Sequence, residues 1–136
     1  MIKNLQKIAP DEEILEGTFT SNFFRNDGDN EFVVCIRNGE IIDYAEKCIE
    51  HFNSLPDDVI DEICEGIIEI CEKEYDLISV RDILDYCWFC DMTVDVPEND
   101  GISYVIGGEG DWGEVVGFVI QDGTLAYAGT DYEKYL

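Results

Sequence analysis

The sequence predicts an α+β fold: an antiparallel sheet of about five to six strands, with three helices inserted between an N-terminal hairpin and C-terminal strands. Three observations carry that prediction. Segments near both ends are rich in β-branched and aromatic residues bounded by turn clusters. Between them, apolar residues recur every three or four positions, the spacing of a helix face. Asp122-Gly123 then sits between two apolar runs. A type I′ hairpin turn needs two residues that tolerate positive φ, and this pair supplies them.

In chain order, residues 1–17 read as a loosely attached lead-in, with Pro10 breaking any helix. Residues 18–25 and 31–37 are β-prone, and Asn26-Asp27-Gly28-Asp29-Asn30 between them is a turn cluster, so a first hairpin is expected. Asp43-Tyr44-Ala45-Glu46 has the form of a capping box. Ala45, Cys48, Ile49 and Phe52 follow as one buried stripe. Ser54-Leu55-Pro56-Asp57 is a second helix start, with acidic residues crowding the first turns where they complement the helix dipole. Ile60, Ile63, Cys64, Ile67, Cys71 and Tyr75 make its apolar face. Gly66 within it costs up to about 1 kcal/mol against alanine, which is tolerable where a neighbour must pack closely. Ser79-Val80-Arg81-Asp82 starts a short third helix with Ile83, Leu84 and Cys87 inward. Thr93-Val94-Asp95-Val96 alternates, residues 97–101 turn, and residues 102–106 form a strand. The stretch from Gly107 to Gly129 reads as a glycine-rich loop anchored by Trp112, then a strand, the Asp122-Gly123 turn and a last strand.

A chain of 136 residues is expected to form a single domain that buries about two-thirds of its unfolded surface without disulfide or metal. No apolar run reaches bilayer length, and Met1-Ile2-Lys3-Asn4-Leu5-Gln6-Lys7 is followed by no apolar signal segment. The expectation is a cytoplasmic protein with no membrane partner. Its 32 acidic residues against 8 basic ones give a net charge of −24. Such a field repels nucleic acid and anionic lipid and speeds encounter with a basic protein. The same charge can also serve solubility alone.

Motifs for chemistry are sparse. Cys87-Trp88-Phe89-Cys90 has redox spacing, but it falls at the end of a predicted helix, where the dipole opposes a thiolate, and Trp88-Phe89 reads as core. The other cysteines, Cys35, Cys48, Cys64 and Cys71, fall in a strand or on apolar helix faces. One CxxC and one histidine do not make a zinc site. Asp27-Gly28-Asp29-Asn30-Glu31 lacks the ligand order of a calcium loop and reads as a hairpin turn. His51 has no nucleophile–base context. The glycine-rich segment carries Glu109 and Asp111, no lysine or arginine, and leads into a strand, so it does not suit a phosphate. No catalytic residue, cofactor or metal ligand is expected.

One local pattern remains: Tyr44-Ala45-Glu46-Lys47-Cys48-Ile49, Phe52-Asn53-Ser54-Leu55, Ile83-Leu84, and above all Gly110-Asp111-Trp112-Gly113-Glu114 followed by Gly117, Asp122-Gly123 and Tyr127-Ala128-Gly129. Over roughly residues 31–129 it resembles an uncharacterised acidic bacterial domain-of-unknown-function family, of the immunity-protein type found beside polymorphic toxins. That resemblance implies a non-enzymatic interaction module, with Trp112, Glu114 and Gly117 as fold determinants. With the charge, it leads to an expected inhibitor that binds and masks a basic protein such as a nuclease toxin. The expected contact residues are Glu98, Asp100, Glu109, Asp111 and Glu114 around the C-terminal loops, with Asp57, Asp58, Asp61 and Glu62 as a second acidic face. Alternatives are a phage-type DNA-mimic inhibitor of a nucleic-acid-binding protein, a small cytoplasmic protein using the CxxC thiols, and a module whose charge serves solubility only.

Overall fold

The structure, a computed structural model, describes residues 2–8, 13–21, 31–71, 74–97 and 101–136. Among these residues, seven strands lie side by side in chain order in a single sheet. β1 (Lys3–Lys7), β2 (Leu15–Thr20) and β3 (Glu31–Ile36) form an antiparallel ribbon. The chain then leaves the sheet through a 3₁₀ turn (Gly39–Ile41), α1 (Ile42–Asn53), α2 (Asp57–Ile70) and a 3₁₀ helix (Val80–Tyr86). It returns as β4 (Cys87–Val94), parallel to β3. β5 (Tyr104–Gly110), β6 (Val115–Gln121) and β7 (Thr124–Gly129) complete an antiparallel meander, and a 3₁₀ turn (Tyr132–Tyr135) follows.

The architecture is therefore α+β, with the three expected helices between the two groups of strands. The sheet is larger than the five to six strands expected, and it is mixed rather than wholly antiparallel. Its one parallel pair follows from the helical crossover, since parallel neighbours need a connection of a dozen or more residues. β1 is the strand that the sequence hides: it lies in the stretch read as a lead-in. Its residues are mostly exposed, as befits an edge strand, so no apolar alternation marks it. Lys3 and Lys7 suit that edge, because charge discourages further strand pairing. The Ile2 N–H donates to the Glu46 carboxylate at 3.0 Å and ties the segment to α1.

Both α-helices cover the same face. Phe32, Val34 and Ile36 of β3, Phe89, Met92 and Val94 of β4, and Ile106, Phe118 and Ile120 of β5 and β6 all point towards them. The predicted stripe Ala45, Cys48, Ile49 and Phe52 is buried against these side chains, as are Ile63, Cys64 and Ile67 of α2. Phe52 sits at the centre, its ring 5.4 Å from Phe32 and 6.2 Å from both Phe19 and Phe118. Gly66 does permit close packing: a Cβ there would stand 2.9 Å from Ala128 Cβ on β7.

Two helix starts are made differently from expectation. Asn38, not Asp43, caps the entry to α1, accepting from the Glu40 N–H at 2.9 Å, because a 3₁₀ turn precedes the helix. The Ser79–Asp82 capping box is present, but it opens a 3₁₀ helix that stops at Tyr86. Cys87 therefore begins a strand rather than ending a helix.

The glycine-rich segment is also reassigned. Gly107, Gly108 and Gly110 belong to β5, and only residues 111–114 form the turn into β6. A Cβ on Gly108 would run into the Trp88 carbonyl and come within 2.6 Å of Phe89 Cα. Glycine here allows two backbones to meet at the irregularity in the β4–β5 register. The Asp122-Gly123 turn is as predicted, with φ of 52° and 77°. The expected turn at residues 26–30 and the helix-breaking Pro10 lie outside the described residues.

These two kinds of glycine separate in a stability measurement. Gly108→Ala should lower unfolding stability by about 2–4 kcal/mol, since only a shift of β4 backbone relieves the clash. Gly113→Ala meets open space and should cost about 1 kcal/mol, the penalty of its φ of 95°. Urea denaturation of the two variants checks the difference, and equal losses would refute it.

Candidate protein-binding face

With the helices on one face, the functional interest falls on the other. The rows of side chains on that open face follow from the strand registers. Trp88 on β4 stands opposite Glu109 on β5, and Glu109 opposite Val115 on β6. The next row contains Val33, Asp91, Gly107 and Gly117. A third runs through Glu16, Cys35, Thr93, Val105, Val119 and Tyr127.

The C-terminal 3₁₀ turn covers part of this face. A Cβ on Gly107 would lie 2.9 Å from the Tyr132 hydroxyl, and one on Gly117 would lie 2.7 Å from the same ring's Cγ. Tyr132 thus rests across two directly paired glycines, with Val105 and Val119 beside it. Burial there pushes its phenol up to about 12. Arg37 donates to the Leu136 carbonyl at 3.0 Å, and Lys134 lies over the rings of Tyr127 and Tyr135.

Beyond the C-terminal turn, side chains of this face are exposed among the described residues. Trp88 is 55% exposed, and Val33 and Val115 are each 38% exposed. Asp91 and Glu109 stand on the same face, and Asp111 is exposed in the adjoining turn, with Glu114 closing it. Burial raises the Asp91 carboxyl, with the Cys90 thiol at 3.7 Å and the Gly107 backbone opposing. An exposed indole beside aliphatic side chains, rimmed by carboxylates, has the composition of a protein-interface hot spot. Sequence reading missed Trp88, Val33 and Val115 as contact residues. Their signal was the period-two alternation of Cys87-Trp88-Phe89, which places Phe89 in the core and Trp88 outside, correcting the reading of both as core.

The sequence-predicted acidic residues divide. Glu109, Asp111 and Glu114 lie along one short segment at the end of the β5–β6 hairpin, where the Gly110 N–H donates to the Glu114 carbonyl at 2.8 Å and the Gly113 N–H to the Gly110 carbonyl at 3.1 Å. Trp112 folds back over Gly110 and packs on the core near Tyr75, which stacks on Tyr86. It anchors the turn as expected. Glu98 and Asp100 lie outside the described residues. On α2, Asp57 and Asp61 are engaged by Arg81 at 3.1 and 2.8 Å, so half of that expected face serves to hold the following 3₁₀ helix against α2. Asp58 and Glu62 remain exposed there.

The residues with chemical potential are occupied structurally. His51 Nδ1 shares a 2.8 Å hydrogen bond with the Tyr104 hydroxyl, whose ionisation burial strongly opposes. Beside it, the Tyr44 hydroxyl accepts from the Ser103 N–H at 2.8 Å and approaches the Gly101 carbonyl at 3.0 Å, fixing α1 to the entry of β5. A cleft of about 290 Å³ under Tyr135 and Leu136 includes Ser103, but its hydroxyl accepts from the Asp122 N–H. Among the described residues no cluster of three or more potential metal ligands occurs. Burial pushes Cys87 up to about 12 and Cys90 to about 11, the latter helped by Asp91.

The class of protein that fold and face define is a small acidic α+β domain with helices on one sheet face and the other only partly covered. A family model matches residues 4–135, and the chain belongs to that family, a domain of unknown function (DUF6985). Comparison with curated proteins and with solved structures returned no match. Among the described residues no helix is long and apolar enough to cross a membrane.

The raised thiols make a pH-dependent prediction. A thiol is inert while protonated, so Cys87 and Cys90 should resist iodoacetamide at pH 7 and gain reactivity only as pH approaches 11. Relative to an exposed thiol, whose pKa is about 8.5, labelling of the folded chain at Cys90 should be slower by about two orders of magnitude. Mass-spectrometric alkylation rates check this, and rapid labelling at pH 7 would reopen a thiol chemistry.

Proposed function

We propose that this chain is a non-enzymatic acidic inhibitor, of the immunity-protein type, that binds and masks a basic protein in the cytoplasm. The target class is a nuclease toxin. The observation that carries the reading is the open end of the sheet, where exposed Trp88 stands among Val115, Glu109 and Asp111. A net charge of −24 and the local pattern around Trp112 support it further.

The mechanism divides by range. At long range, the acidic surface steers a cationic partner and raises the association rate. At short range, the carboxylates of the β5–β6 end occupy cationic positions that would otherwise bind nucleic-acid phosphates. The indole and valines exclude water around those pairs, so the contact lasts. The partner's active-site cleft is then closed by occlusion. No reaction on the partner is needed.

Affinity capture with the full chain from the cells that encode it, followed by stopped-flow binding at several salt concentrations, tests this. A captured basic nuclease should associate about tenfold more slowly with a Glu109→Gln, Asp111→Asn, Glu114→Gln variant at low salt, with a flatter salt dependence. The Asp58→Asn, Glu62→Gln variant should change the rate much less. An association rate unchanged by neutralising the first group would overturn steering through this face.

A further inference from the structure

We infer that Trp88 and Glu109 form a seat for an arginine side chain of the bound partner; this rests on the reading of a basic protein partner given above. Directly opposed residues of an antiparallel pair project from the same face with side chains about 5 Å apart. Trp88 and Glu109 are such a pair, so a π-face and a carboxylate lie within reach of one cation. Guanidinium fits both. It is planar, stacks on an indole, and donates through a fork that matches a carboxylate. An ammonium is a compact, strongly hydrated point charge and gains less from the ring.

Among the described residues, no cation of the chain fills this seat. β4, β5 and β6 contain no lysine or arginine. The basic residues whose surroundings are described are placed elsewhere. Arg81 is held by Asp57 and Asp61, and Arg37 donates to Leu136. Lys47 lies on α1, and Lys3 and Lys7 lie on edge strand β1. Lys134 is already over aromatic rings, 5.4 Å from the Tyr127 centroid and 5.6 Å from that of Tyr135. Among the described residues, the same face therefore holds Lys134 over tyrosines at its covered end and presents an indole with no cation over it at its open end. Trp112, the other tryptophan, is folded over Gly110 and cannot serve. Exposed Asp111 adds a second carboxylate in the adjoining turn.

The test titrates the full chain with octa-arginine and octa-lysine peptides of equal charge, by calorimetry at fixed ionic strength. The wild-type chain should bind octa-arginine about three- to tenfold more tightly. Trp88→Ala should bind both peptides with nearly equal affinity, Trp88→Phe should keep part of the preference, and Glu109→Gln should shrink it. The Trp88 indole N–H resonance should shift on titration with octa-arginine. Equal wild-type affinities, or a preference undiminished in Trp88→Ala, would overturn the arginine seat. If both peptides bind in a salt-dependent manner without preference, only the seat falls. If neither binds, the basic-partner reading falls with it.

Discussion

Strands β4, β5 and β6 meet around positions where no side chain can stand. Gly108 lets the β5 backbone pass against Trp88 and Phe89 of β4, while Gly107 and Gly117, paired across β5 and β6, accept the ring of Tyr132. Gly110 receives Trp112. Glycine normally weakens a strand, because it contributes no packing and loses more backbone entropy on folding. Here aromatic rings from outside the strands restore the missing contacts. The arrangement has a functional consequence: the glycine rows fix where the open face is covered and where it is not. Tyr132 occupies the Gly107–Gly117 row, and the neighbouring Trp88–Glu109–Val115 row is left to solvent.

The helical face is organised by different forces. Its apolar contacts centre on Phe52, and polar ties around Tyr44, Ser103, His51 and Tyr104 join α1 to the start of β5. These ties use the only histidine and one of the few buried phenols, so they draw potential catalytic groups into architecture. The Arg81 pairs do the same to part of the acidic helix face. Such partly exposed ion pairs contribute little stability individually. For the proposed recognition they would matter more, because each carboxylate held by Arg81 is less available to an external cation. Charge that is uniform in composition becomes uneven in space.

The local signals were legible in the sequence and the long-range ones were not. The Ala45–Phe52 stripe, the Ser79 capping box and the Asp122-Gly123 turn each depend on residues a few positions apart. β1 was hidden because both of its faces are largely exposed, leaving no alternation to read. The parallel pairing of β3 with β4 depends on how the helical crossover lands, which no short window records. The nearness of Glu109, Asp111 and Glu114 follows from their places in one hairpin turn. The capture of Asp57 and Asp61 was not, since Arg81 lies 20 or more residues away. Trp88 was misread for a local reason. Four apolar residues in a row fit a helix end or a strand equally well, and only the strand turns Trp88 outward.

That outward turn bears on what net charge can do. A charge of −24 acts on any cationic surface, and its effect beyond about 8 Å is screened at physiological salt. It therefore raises encounter rates with many basic proteins and selects among them poorly. Selection needs contacts that only a matching surface can make, in a place where water is excluded. Trp88, Val33 and Val115 are the exposed apolar side chains of the open face that stand beside Asp91 and Glu109. Removing water from these carboxylates is costly unless a cation replaces it, so in the proposed complex a partner without a cation at that position would be rejected rather than merely bound less well. The desolvation that would strengthen the right pair would penalise the wrong one, and in the proposed complex the exposed indole is what would bring it to this open end of the sheet.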